Sequence, residues 1–215
     1  MRKVIAKHKY HWSKKEFIGS IILGGLFLAI SLIFNHFTSN YANSTNGAYV
    51  KDILLDNLPV FNVNWIMNEG VLFYAIFITF FIIIEPKRIP FILKSLALFV
   101  FIRSIFITLT HLGPAPSQTY LDPNDLLADL NFGKDFFFSG HTGIPFLLAL
   151  AFWKEKIVRY VSILAAIILG SSMILGHLHY SIDVLSAFFI TYAIFCIAKK
   201  AFANDYKLFN SENLT

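Results

Sequence analysis

The chain has 215 residues, 56% hydrophobic and 14% charged, with a mean hydropathy of +0.63. A water-soluble domain carries about a quarter charged residues, so this composition excludes one and specifies an integral membrane protein built as a single domain. The net charge of +5 comes from basic residues dispersed at the ends of apolar segments. That pattern reports topology, not a nucleic-acid partner.

Residues 1–16 form a basic tail with Arg2, Lys3, Lys7, Lys9, Lys14 and Lys15. The apolar run behind it is long enough to span and is not followed by a small-residue cleavage site, so it reads as an uncleaved first helix. Six apolar segments follow one another, at 17–37, 65–84, 91–111, 136–153, 157–175 and 182–198. Each approaches the ~20 residues that a helix needs to cross hydrocarbon. The expected fold is therefore all-α and polytopic: a cytoplasmic tail (1–16), a six-helix membrane domain (17–200) and a second, polar and frayed cytoplasmic tail (201–215). The lone cysteine, Cys196, rules out an internal disulfide and reads as an inert core thiol.

Fifteen of the eighteen lysines and arginines fall in the two tails or in the tight turns near 85–94 and 154–159. The positive-inside rule then places both termini in the cytoplasm and the loops 38–64, 112–135 and 176–181 outside. The first outer loop holds an amphipathic stretch at 51–59 that suits a short interfacial helix. The second, with Pro114 and Pro116, is too rich in proline to be helical and leads the chain across the mouth of the bundle.

Two stretches on that outer side carry chemistry. In the first, Asp135 is followed by three phenylalanines and then Ser139, Gly140, His141 and Thr142 at the start of a helix. The free amides of a first helical turn, with Pro145 inside it, point at an anion, and His141 sits beside them. The plain alternative is Ser139 as an N-cap with an interfacial His141. Asp135 is placed to orient His141. In the second stretch, His179 and Asp183 are four apart and share a helix face. A carboxylate on one imidazole nitrogen sets the tautomer and leaves the other nitrogen to attack. His177 points elsewhere, so shared metal ligation is not expected. Arg103 lies inside the third apolar segment, where an arginine is costly and faces a cavity or partner; its fork suits two phosphate oxygens. Phe136 to Phe138 read as a lipid-facing aromatic belt, and His36, Glu69, Thr110 and His111 as interfacial residues.

These residues resemble the sphingomyelin synthase-like branch of the type 2 phosphatidic acid phosphatase superfamily. Arg103, with Thr110, Leu112, Pro114 and Pro116 behind it, is similar to that branch's arginine block. Asp135 to Thr142 is similar to its Asp-x-x-x-Ser-Gly-His-Thr block, and His177 to Val184 to its His-x-His-Tyr-Ser/Thr-Ile/Val-Asp-Val block. The chain departs from the wider phosphatase pattern where Leu96, Ser104 and Met173 stand in place of a lysine, a proline and an arginine. Two phosphate-binding cations are thus missing, which points toward phosphodiester lipids.

The resemblance implies an integral-membrane phosphotransferase of sphingolipid or phospholipid metabolism. His179, oriented by Asp183, would form a phosphohistidine. His141, supported by Asp135, would protonate the leaving lipid and deprotonate the acceptor. Arg103, Ser139, Gly140 and Thr142 would hold the phosphate oxygens. The implied partners are membrane lipids: a phospholipid donor and a ceramide or diacylglycerol hydroxyl, or water. No metal and no organic cofactor are implied. With water as acceptor the same site is a lipid phosphatase or a phospholipase C. A non-catalytic transporter or membrane partner is the third reading, but the two related halves that many transporters carry are not evident.

Overall fold

Backbone amides and carbonyls have no water to bond in hydrocarbon, so long apolar segments close their hydrogen bonds internally as helices. The computed structural model describes residues 2–45, 47–119 and 137–211. Among these residues there are eight α-helices: α1 Arg2–Trp12, α2 Lys15–Ser44, α3 Val71–Ile84, α4 Ile89–Leu109, α5 Gly140–Ala151, α6 Lys156–Leu175, α7 Ser181–Ala201 and α8 Ala203–Phe209. A π-helical turn, Ile66–Gly70, leads into α3, and a 3-10 turn, Pro86–Arg88, leads into α4. Pro86 opens that 3-10 turn and Pro90 stands in the first turn of α4, where a missing amide costs nothing.

Five helical stretches are long and apolar enough to cross a membrane: Lys15–Ser44, Ile66–Ile84, Pro86–Leu109, Lys156–Leu175 and Ser181–Ala201. Their outer faces carry exposed Ile30, Ile33, Phe73, Phe80, Leu164 and Phe189, the surface that lipid rather than water covers. The fourth expected span, 136–153, is short because its helix excludes the polar start and stops at Ala151. Helix α5 has 12 residues and so extends about 18 Å, well short of the ~30 Å of hydrocarbon. It packs against α6 and α7, and α2 lies along α4.

The C-terminal end of α5 meets a basic end of the bundle. There Arg88 donates to Glu155 at 2.5 Å and its guanidinium lies over the Phe152 ring, 5.0 Å from the centroid. Lys7 of α1 pairs with Glu85. Because α5 is short and tied down at this end, its N-terminus stops below the opposite rim. Arg103 lies six residues before the end of α4, or ~9 Å along the helix axis, and its side chain reaches that recessed N-terminus.

Two expectations need correction. Residues 203–211 are not frayed: α8 turns back, and Phe209 packs on Phe91 and Phe152 with ring centroids 5.8 and 5.1 Å apart. The basic N-terminal stretch is also helical, over α1. The stretch 51–59 is not an amphipathic helix but a series of turns. Asp52 bends it by accepting the amides of Leu54 and Leu55 at 2.9 and 3.2 Å, a competition between side chain and helix that aspartate often wins.

A largely buried ion pair fastens α8 to α4. Lys94 Nζ lies 2.6 Å from Asp205 Oδ2 and 2.7 Å from Ser20 Oγ, and Ser20 donates to Asp205 Oδ1 at 2.6 Å. Removing one partner of a buried pair leaves an uncompensated charge and costs about 3–5 kcal/mol, whereas replacing both by apolar residues is often neutral. Asp205→Ala is therefore expected to lower the thermal midpoint in detergent markedly, and Lys94→Met combined with Asp205→Leu to recover most of it. Thermal unfolding followed by intrinsic fluorescence checks both; equal midpoints for the single and double variants would remove the ion pair from this role.

Candidate active site

The start of α5 is shaped by its own sequence. Phe137 takes a left-handed conformation, φ 70°, which turns the chain into Ser139. Ser139 is the N-cap: its side chain accepts the Thr142 amide at 3.4 Å, and its carbonyl accepts the Gly143 amide at 3.0 Å. The amides of Gly140 and His141 begin the helix and have no acceptor within it. Pro145 stands inside the helix rather than in its first turn, because the helix begins at Gly140. The expected pairing of first-turn amides with an early proline therefore gives way to an ordinary serine cap. Gly143 is required by packing. A Cβ there would sit 2.6 Å from the Phe99 ring and 2.9 Å from Thr191 Oγ1, so α5 lies closer to α4 and α7 than any side chain at that position permits. Phe138 is not part of a lipid-facing belt. It is fully buried, edge-on to Phe99 and Phe106 with centroids 5.4 and 5.8 Å away.

Arg103 is 3% exposed and faces the bundle, not lipid. Its Nε donates to the Phe138 carbonyl at 3.0 Å. A Cβ built on Gly140 would contact its Nε at 3.6 Å and its Cζ at 4.0 Å. The guanidinium thus lies against the first residue of α5, where the helix dipole and two amides without an acceptor in the helix already favour an anion. Arg103 and His179 both lie near enough to the His141 imidazole to act on it electrostatically, so the three side chains share one region.

His179 and Asp183 meet, but not as two positions on a helix face. Helix α7 begins at Ser181 with Tyr180 as N-cap, so His179 belongs to the preceding turn. Asp183 is the third helical residue, and its Oδ2 accepts the Tyr180 amide at 3.1 Å and lies 3.2 Å from His179 Nδ1. This is the reach-back of a capping carboxylate, with an imidazole added on the same oxygen. Asp183 is fully buried and its Oδ1 has no partner among the described residues. The turn itself is forced by His177, φ 55°, and held by the His179 amide on the Met173 carbonyl at 3.2 Å. The two motif stretches are tied directly: the Ser139 amide donates to the Asp183 carbonyl at 3.0 Å.

Asp135 lies outside the described residues. Leu96 and Met173, the positions where cations are missing, pack with the hydrophobic core. Among the described residues no group of three or more His, Cys, Asp or Glu side chains is disposed to hold a metal ion.

Several contacts around the site involve residues that sequence reasoning passed over. Tyr180 donates its hydroxyl to the Gly113 carbonyl at 2.6 Å, accepts the Val50 amide at 3.2 Å and stacks on Tyr49. Gly113 lies where the connections after α2 and after α4 cross; a Cβ there would fall 2.3 Å from the Gly47 carbonyl oxygen. Asp52 Oδ2 accepts both the amide and the hydroxyl of Ser181 at 2.8 Å. Burial alone would push the Asp52 carboxyl up, but these bonds and those from Leu54 and Leu55 bring it below its ordinary value. Only Tyr180, through its place between His179 and Asp183, had a signal in the sequence.

Compared with known proteins, residues 134–200 match the family model described as PAP2 superfamily C-terminal. No curated protein and no solved structure matches the chain. The matched segment contains Ser139, His141, His179 and Asp183, and Arg103 lies outside it.

Proposed function

We propose that the protein is an integral-membrane lipid head-group phosphotransferase, moving a phospho-head group from a phospholipid to a lipid hydroxyl such as that of ceramide or diacylglycerol through a phosphohistidine at His179. The observation that carries this reading is the His179 Nδ1–Asp183 Oδ2 contact of 3.2 Å beside the Arg103 guanidinium and the α5 N-terminus. The PAP2 superfamily match over residues 134–200 supports phosphate-ester chemistry in a membrane.

With Nδ1–H donated to Asp183, the lone pair is on Nε2, and the imidazolium formed on attack is stabilised. Nε2 attacks phosphorus while the bond to the donor's lipid oxygen breaks. His141 gives that oxygen its proton and diacylglycerol leaves. His141, now neutral, takes the proton of the acceptor hydroxyl. The acceptor oxygen bonds to phosphorus, the P–N bond breaks and its electron pair returns to Nε2. Arg103 and the first amides of α5 offset the charge on the non-bridging oxygens, and Asp135 supports His141. The apolar Leu96 and Met173 leave this cradle with less positive charge than a dianionic phosphomonoester requires, which favours phosphodiesters. The site lies at the end of the bundle away from the basic turns, on the extracytoplasmic face if those turns are cytoplasmic.

The direct test offers the detergent-purified protein a phosphorus-labelled phospholipid with ceramide or diacylglycerol. Transfer to the acceptor is expected, with an acid-labile, base-stable adduct on His179 that His179→Ala abolishes. His141→Ala should slow the adduct's formation from natural lipid but retain it from an aryl phosphodiester whose leaving group needs no proton. Release of phosphate from phosphatidic acid without transfer to any acceptor would instead identify a hydrolase. A normal turnover in His179→Ala would overturn the mechanism.

Arg103→Lys keeps the charge but loses the fork. It should lower kcat by at least about 100-fold, as losing one preorganised donor does elsewhere, while the protein still inserts and elutes as a single species. An unchanged kcat would take Arg103 out of the site.

Topology is checked in a Cys196→Ser background. A cysteine at the exposed Asn57 should react with an impermeant maleimide in intact cells, and one at the exposed Lys156 should not. The reverse pattern would put the site in the cytoplasm.

A further inference from the structure

Resting on the proposed role of His179, we infer that Asp52, on the connection between α2 and α3, is a positioning residue for that histidine. It caps α7 from outside the helix and thereby fixes the turn that carries the imidazole.

The first amides of a helix need acceptors from elsewhere, and a serine, threonine, asparagine or aspartate at the N-cap normally provides one. The N-cap of α7 is Tyr180, whose hydroxyl is engaged with Gly113 and Val50. Asp183 takes the Tyr180 amide. The Ser181 amide is taken by Asp52, 129 residues away in sequence, which holds the Ser181 hydroxyl on the same oxygen. Asp52 is itself fixed, because its other oxygen accepts the Leu54 and Leu55 amides, and it is buried. A carboxylate at this point also complements the positive end of the α7 dipole. Tyr49, three residues before it, stacks on Tyr180 with ring centroids 5.9 Å apart, and Leu55 packs with Tyr180 and Ala115.

Residues 49–55 therefore grip Tyr180 and Ser181, two of the three residues between His179 and Asp183. Asp183 binds His179 through its side chain and Ser139 through its carbonyl. When the first turn of α7 loses its external cap, Asp183 loses its position relative to both. Asp52 touches neither histidine, so its effect runs through Ser181 and Asp183.

The test uses the full chain in detergent. Asp52→Ala should lower kcat by about 100-fold, the order of loss that a misplacement near 1 Å produces, with KM changed by no more than about twofold. Asp52→Asn, which keeps an acceptor for the Ser181 amide, and Ser181→Ala, which loses only the hydroxyl bond, should fall between it and the unaltered protein. Hydrogen exchange of peptides covering residues 177–184 should rise in Asp52→Ala. Asp205→Ala, destabilised at the far end of the bundle, serves as the control: below its thermal midpoint it should keep its kcat.

An unchanged kcat in Asp52→Ala, unchanged exchange at 177–184, or an equal loss of kcat in Asp205→Ala at matched stability would overturn the positioning role. If Asp52→Ala does not insert, Asp52→Asn and Ser181→Ala carry the same comparison. If the unaltered protein forms no phosphohistidine while Asp52→Ala still raises the exchange, the assignment of His179 fails and the positioning role with it, whereas the capping contact stands.

Discussion

A single carboxylate, Asp183, joins the two halves of the site. Its side chain holds His179 Nδ1 and the Tyr180 amide on one oxygen, and its carbonyl accepts the Ser139 amide from the start of α5. It is fully buried, in surroundings where an unmatched charge is expensive and a matched one is strongly directional. The helix start, the imidazole and the neighbouring segment therefore move together or not at all. Arg103 extends the same logic to α4, because its Nε is committed to the Phe138 carbonyl one residue before the cap.

The bundle has two ends with different physics. At one end, cations meet carboxylates, carbonyls and aromatic faces: Lys94 with Asp205, Arg88 with Glu155 and Phe152, Lys87 with the Ser211 carbonyl. The Lys94 and Lys87 contacts hold the C-terminal helix against the membrane domain, and Lys7 with Glu85 holds α1 there. At the other end the connections between helices cross over the site, and glycines at 47 and 113 let two backbones touch. The short α5 links the ends. Its N-terminus is recessed, so an anion bound there would lie below the rim, in an environment that strengthens every hydrogen bond made to it.

Much of this was legible from the residues alone. Unbroken apolar segments between basic turns specify helices that lipid surrounds, because hydrocarbon leaves the backbone no other choice. Ser139 as a cap, Arg103 as a bundle-facing arginine and the closeness of His179 to Asp183 follow from residue type and spacing, since each is costly or unsatisfied in any other arrangement. What misled was periodicity used beyond its range. His179 and Asp183 meet through a cap and not a helix face. The stretch 51–59 has a helical pattern, but the Asp52 side chain captures the amides a helix would need. Phe138 resembles a belt residue until Phe99 and Phe106 close around it.

The chain by itself determined its membrane solvent and its helical class and marked Arg103, His141, His179 and Asp183 as candidates, because those depend on composition and local spacing. The tertiary structure alone decided that Asp52 caps α7, that Lys94 and Asp205 bind α8 to the bundle, and that α5 begins level with Arg103. Each of these joins partners between 37 and 129 positions apart in the sequence. No local propensity encodes such a pairing. It is set by which buried polar groups find acceptors once the helices have packed.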